Sequence, residues 1–313
     1  LFDEDVDLVL AVNTKLGETI LCGGDENRLL NDKLVHIDVV AEHFTRSPMA
    51  RLHVCGHPRL VFESLNRQLR AVKNKDDSPV EIHLADADGL PAGILLDDRA
   101  ACQADDAPLK PQRVMFELAS RFPDETRFLV DAGNSWSWAT HYLHPRSSGK
   151  YRIGMGFGAM AWAIGASVGT AFGCPGSPVV CLTGDGSYLM SGQELSVAVA
   201  EKLPVIFAVI NDRALGMVKH GQRLGGGEPV AFELPPVDFC MIARAMGAQA
   251  YCIRSPKDFA ALDVGKICRH AGPTLLEIHI DPEETPPMGA RMKALVGKKG
   301  GKQEAVRNVW IKN

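Results

Sequence analysis

Two short segments carry residue types that could do chemistry together. In Val179-Val180-Cys181-Leu182-Thr183-Gly184-Asp185-Gly186-Ser187, an Asp flanked by two glycines follows an apolar run that reads as a buried strand. The glycines permit a tight turn and close approach of backbone to a ligand. The helix expected next would offer its N-terminal N–H groups to an anion. In the second segment, Val209-Ile210-Asn211-Asp212 ends another apolar strand, and one helix and one strand fit into residues 187–210. A right-handed crossover makes two such strands neighbours or near neighbours, and ligands of open α/β sheets bind outside the carboxyl ends of their strands. Asp185 and Asp212 then converge. Two carboxylates beside a helix N-terminus call for a cation, and a diphosphate with Mg2+ satisfies both halves. A lone Gly-Asp-Gly is ordinarily a turn, and a lone Asn-Asp a helix cap. The pairing is what argues for a site.

Those strands need a sheet to position them. Pro111 suits the first turn of a helix reaching Arg121. There follow a strand at Arg127–Val130, a Gly-rich helix over about 158–172, a strand at Pro178–Leu182, a helix at Gln193–Lys202 and a strand at Pro204–Ile210. Helices near Phe239–Met246 and Pro256–His270 and a strand at Thr274–Ile280 complete the pattern. The alternation predicts an α/β fold, a doubly wound parallel sheet with helices on both faces. Upstream, Val6–Val12 and Lys33–Asp38 read as buried parallel strands and Arg59–Val72 as a helix with apolar Leu60, Val61, Phe62, Leu65 and Leu69. These make part of a smaller α/β central domain over residues 1–72. Polar residues 73–110 read as a linker, residues 111–295 as the ligand-binding domain and residues 296–313 as a C-terminal tail.

Bulk properties narrow the function classes. A chain of 313 residues suits two domains. Its net charge of -4, with no concentrated basic stripe, makes nucleic acid a poor partner. No apolar stretch reaches the length of a membrane span, and the small residues of 153–172 point to tight helix packing instead. Cys22, Cys55, Cys102, Cys174, Cys181, Cys240, Cys252 and Cys268 form no C-x-x-C pair. They read as buried thiols in a reducing, cytoplasmic setting rather than as metal ligands or disulfides. The opening Leu1-Phe2-Asp3-Glu4, without an initiator Met, is what a fragment or a processed chain would show. A nicotinamide-binding reading lacks the G-x-G-x-x-G after a first strand.

The stretch Gly184 to Leu195, the stretch Ala208 to Asp212 and Leu215-Gly216-Met217-Val218 resemble the thiamine-diphosphate-dependent enzymes of the acetolactate synthase-like family. So do Asp131-Ala132-Gly133-Asn134-Ser135 with Trp138 to Tyr142, and Met160 to Gly165. The resemblance is close over about residues 111–295 and looser over 1–72. It implies that Asp185 and Asp212 ligate Mg2+ through their side chains and Ala214 through its carbonyl. It also implies that Asn134, Ser135 and Ser187 hold the diphosphate, that Met160 wedges the coenzyme into its bent form, and that Gly184, Gly186, Leu215, Gly216 and Met217 complete the coenzyme site. The activity implied is that of a lyase or carboligase on a 2-keto acid, with a simple 2-keto acid decarboxylase or a non-catalytic coenzyme-binding half as alternatives.

Three departures from the family qualify this. Its second Asn is Asp212 here, adding a negative charge beside the diphosphate that a metal must offset. Gly221 stands where acetolactate synthases carry a Trp, which makes the acceptor pocket roomier, and the neighbouring His220 is open to touching substrate, facing solvent or capping. Asn13 and Lys15 replace the Gly and Arg of FAD-binding members, so FAD is not expected. The family's general acid/base is a Glu on a pyrimidine-binding domain, usually contributed by a partner chain of a homodimer or homotetramer, and no segment of this sequence resembles that domain.

Overall fold

The computed structural model describes residues 7–17, 30–72 and 98–288. The described residues divide into two compact units, residues 7–17 with 30–72 and residues 98–288.

In the first unit, strands β1 (Val9–Val12), β2 (Leu34–Asp38) and β3 (Leu52–Cys55) form a parallel sheet in that order, followed by helix α1 (Pro58–Val72). The sequence reading lacked β3, because Leu52-His53-Val54-Cys55 is too short and too mixed to stand out. Its expectation of strands buried on both faces fails at β1, where Leu10 is 47% exposed and only Ala11 is fully buried. Leu60, Leu65 and Leu69 of α1 are exposed as well. The first residues of the expected strand, up to Val6, lie outside the described residues. Cys55 is exposed, which corrects the buried-thiol reading there. Cys102, Cys181 and Cys240 are buried, Cys174, Cys252 and Cys268 are half-buried, and Cys22 is outside the described residues.

The second unit carries six parallel strands, β4 (Arg127–Val130), β5 (Tyr151–Ile153), β6 (Val179–Gly184), β7 (Val205–Asn211), β8 (Gln249–Ile253) and β9 (Thr274–His279), in the order β5-β4-β6-β7-β9-β8. Every residue of β7 is buried, as are five of the six in β6. Helices cover both faces, so these strands read as continuous apolar runs rather than alternating ones. On one face pack α2 (Pro111–Arg121), α3 (Asn134–Tyr142), α9 (Pro256–Ala260) and α10 (Val264–Arg269), through residues such as Met115, Leu118, Trp138, Phe259 and Ile267. On the other lie α4 (Trp162–Gly173), α6 (Leu195–Ala200) and α8 (Phe239–Ala245), through Ile164, Val168, Leu195, Phe239 and Ala243. Between them in sequence come the short α5 (Asp185–Ser191) and α7 (Gly216–Leu224). The unit is a doubly wound parallel sheet. Among the described residues no helix is long and apolar enough to cross a membrane.

The differences from the sequence reading are local. The Gly-rich helix begins at Trp162, and the helix expected over Pro256–His270 is two, because the Asp263 side chain accepts the Lys266 N–H and starts a new one. Residues 98–110, the described end of the expected linker, pack on the second unit. Cys102 and Leu109 enter its core, and Leu109 bridges to Ile280. Residues 73–97 and the expected tail lie outside the described residues.

The central strand makes a measurable claim. Phe207 of β7 is wholly buried. Phe207→Ala should destabilise the second unit by about 3–5 kcal/mol, because a cavity is added to the lost burial. Urea unfolding followed by tryptophan fluorescence checks this.

Candidate functional site

Strand register brings the chemical residues to one edge. β6 pairs with β7 so that Gly184 lies opposite Ile210, and β4 pairs with β6 so that Val130 lies opposite Leu182. The three loops that follow therefore leave from the same end of the sheet. β5 and β6 flank β4 on opposite sides, so strand order reverses there and a crevice opens, as the topology of doubly wound sheets requires.

A cavity of about 240 Å³ occupies that crevice. Asn134, Ser135, Met160, Gly184, Asp185, Gly186, Ser187, Asp212, Ala214, Leu215, Gly216 and Met217, singled out from sequence as one set, all line it. Ala132, Gly133, Gly158, Ile210, Val218 and Ile280 also line it and were not singled out. They are small or apolar and contribute wall rather than polar groups; Ala132, Gly133, Ile210 and Val218 lie within the resembling segments without a role of their own, and Gly158 and Ile280 have no signal in residue type. Met160 is no core residue. It is 38% exposed, and its Cε lies 3.6 Å from where a Cβ on Gly186 would be.

The polar groups are left incomplete in a consistent way. Asp185 is 4% exposed; its Oδ1 accepts the Gly186 N–H at 2.7 Å, while its buried Oδ2 has no partner. Asp212 Oδ1 accepts the Ala214 N–H at 3.2 Å. Burial pushes the Asp185 carboxyl up to about 7, with the Asp212 charge adding to the rise. Burial likewise raises Asp212 to about 6, although the Ala214 N–H and the Lys219 charge oppose it. The buried Asn134 Oδ1 is also unpartnered. Three helices start at this wall, and α3 and α7 have no side-chain cap. Their first N–H groups lack intrahelical partners and carry the positive end of the helix dipole. Unshielded carboxylates beside uncapped helix N-termini fit a cation shared with an anion.

Backbone geometry holds this arrangement. A Cβ on Gly216 would lie 2.6 Å from Asp212 Oδ2 and closer still to Asn134 Nδ2, so only glycine lets these side chains approach. Arg213 (φ 55) and Ala161 (φ 69) adopt the left-handed conformation that non-glycine residues avoid. Both adjoin the cavity wall, at Asp212 and Met160. The Met160–Ala161 turn is held by the fully buried Asp131, whose Oδ2 accepts the Ala161 N–H at 2.9 Å and the Thr183 hydroxyl at 2.8 Å. Sequence placed Asp131 in the diphosphate-loop motif but gave it no such role, since its partners are distant in the chain. Lys219 is buried, and its Nζ donates to Glu283 Oε1 at 2.6 Å and to the Pro282 carbonyl at 2.9 Å. His220 is 2% exposed, so it does not face solvent, and it is not among the cavity-lining residues.

An open α/β sheet with paired carboxylates and helix N-termini at its switch point has the layout of the coenzyme-binding doubly wound sheets, whose ligands lie outside the carboxyl ends of the strands. Comparison with known proteins sharpens the class. Residues 131–278 match the family model "Thiamine pyrophosphate enzyme, C-terminal TPP binding domain". Over 308 residues the chain is 26% identical to the "Probable acetolactate synthase large subunit" of Methanococcus aeolicus, covering 93% of this chain and 50% of that protein. Over 173 residues it is 31% identical to the acetolactate synthase isozyme 2 large subunit of Escherichia coli (strain K12), covering 54% of this chain and 31% of that one. The fold is shared with the Rhodococcus jostii RHA1 thiamine diphosphate-dependent 4-hydroxybenzoylformate decarboxylase. That match has a TM-score of 0.62 and 22% identity, and covers 80% of this chain and 44% of that chain. The chain spans about half the length of the curated relatives it matches. Residues 131–278 thus match the C-terminal TPP-binding domain of the thiamine pyrophosphate enzymes, and over 93% of its length the chain is similar to acetolactate synthase large subunits.

The electrostatics predict a pH effect. A carboxyl whose folded pKa lies above its unfolded value near 3.8 binds more protons in the folded state, so its contribution to stability falls as pH rises through about 7. Asp185→Asn removes that penalty. In chelator, its unfolding temperature should exceed that of the unsubstituted protein at about pH 8 and converge with it at about pH 4. Thermal denaturation across that range decides it.

Proposed function

We propose that the second unit holds thiamine diphosphate through Mg2+ and that the protein acts as a lyase or carboligase on a 2-keto acid. The observation that carries the reading is the unpartnered Asp185 Oδ2, buried in a cavity beside Asp212 and the uncapped starts of α3 and α7. Asp185 and Asp212 would hold Mg2+ with their carboxylates and Ala214 with its carbonyl, an all-oxygen set that suits this ion. Asn134, Ser135 and Ser187 would donate to the diphosphate. The bound coenzyme supplies the electron sink for loss of CO2 and transfer of the remaining acyl unit to an acceptor.

Other residues shape the site. Gly216 keeps the wall thin where Asn134 and Asp212 meet, and Met160 stands as an apolar prop beside Gly186. Asp212, in place of an Asn, leaves a second full negative charge to be neutralised, so holding an anionic ligand depends strongly on the cation. A Cβ on Gly221 would meet nothing within 4 Å, which supports an acceptor region not closed by a bulky side chain on α7. In this reading the catalytic Glu belongs to a pyrimidine-binding domain contributed by a partner chain.

Calorimetry with thiamine diphosphate tests the proposal. Asp185→Ala should abolish Mg2+-dependent binding, and unchanged affinity would overturn the reading. Because Mg2+ competes with protons for Asp185 and Asp212, affinity should also rise between about pH 6 and 8, as both carboxyls ionise. Following CO2 release over a panel of 2-keto acids then identifies the donor.

A further inference from the structure

Behind the cavity wall lies a second polar cluster. Glu277 of β9 is 3% exposed, in a strand whose buried neighbours Leu275, Leu276 and Ile278 are apolar. Its Oε1 accepts the Asn211 side-chain amide at 2.9 Å, and its Oε2 accepts the Cys240 N–H in the first turn of α8 at 3.1 Å. His279 Nε2 stands 3.2 Å from Oε1. Burial alone would raise this carboxyl, yet the His279 ring, the Cys240 N–H and the Asn211 amide hold it below the usual range. Glu277 is thus a buried acceptor with both oxygens engaged.

What it accepts from matters. Asn211 is the last residue of β7, and its amide can point only one way once Nδ2 donates to Glu277. Its Oδ1 is then turned to the Arg213 N–H, 3.2 Å away. That bond closes the turn in which Arg213 takes its left-handed φ of 55. The turn presents the Asp212 carboxylate and Ala214 to the cavity, and the Phe232 carbonyl and Leu234 N–H secure its far side through Leu215 and Arg213.

We propose that Glu277 is a positioning residue for the Asn211–Ala214 turn, and through it for the cation-binding edge of the cavity. This rests on the metal–diphosphate reading above. Glu277, Cys252 and His279 also lie close enough together to hold a metal ion themselves, as do Glu277, Asp238 and Cys240. The positioning role is favoured because both Glu277 oxygens already accept from Asn211 and from backbone.

The experiment measures the Mg2+ concentration that half-saturates thiamine diphosphate binding to the full-length protein, by calorimetry. A Gln at 277 sets an NH2 against either the Asn211 amide or the Cys240 N–H, donor against donor. Glu277→Gln should therefore raise the half-saturating Mg2+ by about 10–100-fold, as loss of partners behind metal ligands typically does, with excess Mg2+ restoring full occupancy. Asn211→Ala cuts the same bond from the other end and should give the same rise, which keeps the test decisive if Glu277→Gln does not fold. A purely structural role would lower the unfolding temperature and leave the Mg2+ midpoint unmoved, and that result overturns the proposal. Stoichiometric Zn2+ in the purified protein that is lost in Cys252→Ser also overturns it, by making Glu277 a ligand of a second ion. If the unsubstituted protein binds no coenzyme with Mg2+, the metal–diphosphate reading fails first and the positioning role falls with it.

Discussion

The structure turns on the confinement of two negative charges. Adjacent strand ends force the buried Asp185 and the half-buried Asp212 into one cavity, where little water is left to screen them. Among the described residues, the Gly186, Arg213 and Ala214 N–H groups lower the Asp185 carboxyl without offsetting its burial. Lys219 lowers the Asp212 carboxyl, but its ammonium is committed to Glu283 and the Pro282 carbonyl. An uncompensated buried carboxylate is costly unless it is protonated, paired or ligating a metal. The raised carboxyls show the first response, and the all-oxygen donor set invites the last.

The scaffold around this confinement is rigid where it needs to be. β6 and β7 are buried nearly throughout, so their register cannot slip without ejecting whole apolar faces into water. Two loops of the cavity wall are pinned from behind by buried acids, Asp131 under Met160–Ala161 after β5 and Glu277 under Asn211 at the end of β7. Each accepts hydrogen bonds from more than one element, and each spends a desolvation cost on geometry. The left-handed residues Ala161 and Arg213 sit directly above these anchors. Backbone strain persists only where the surroundings over-determine it, and here the determinants are identifiable.

Much of this was legible from sequence because it is local. Apolar runs ending in Gly-Asp-Gly and Asn-Asp locate strands, turns and carboxylates within a few residues, and the handedness of crossovers does the rest. The doubly wound sheet and the convergence of Asp185 with Asp212 follow from those signals. What escaped is non-local or short. Glu277 looks like an interruption in an apolar strand until β7 and α8 are seen to donate to it. Asp131 lies in a recognisable motif, yet its anchoring role depends on Thr183 and Ala161, far along the chain. β3, β5 and β8 are brief and mixed, and their pairing comes from neighbours rather than from their own pattern. His220 was open to several readings because burial of a single polar residue on a helix cannot be inferred from its type.

The bare starts of α3 and α7 have a practical consequence. Backbone donors that no side chain satisfies do not distinguish a coenzyme's diphosphate from any other small tetrahedral oxyanion. On the proposed reading, phosphate or sulfate supplied together with the divalent cation would compete for the same place, stabilising the folded state by mass action as its concentration rises. A melting temperature measured in phosphate and one measured in a chloride-based amine buffer would describe two different thermodynamic species of the same chain.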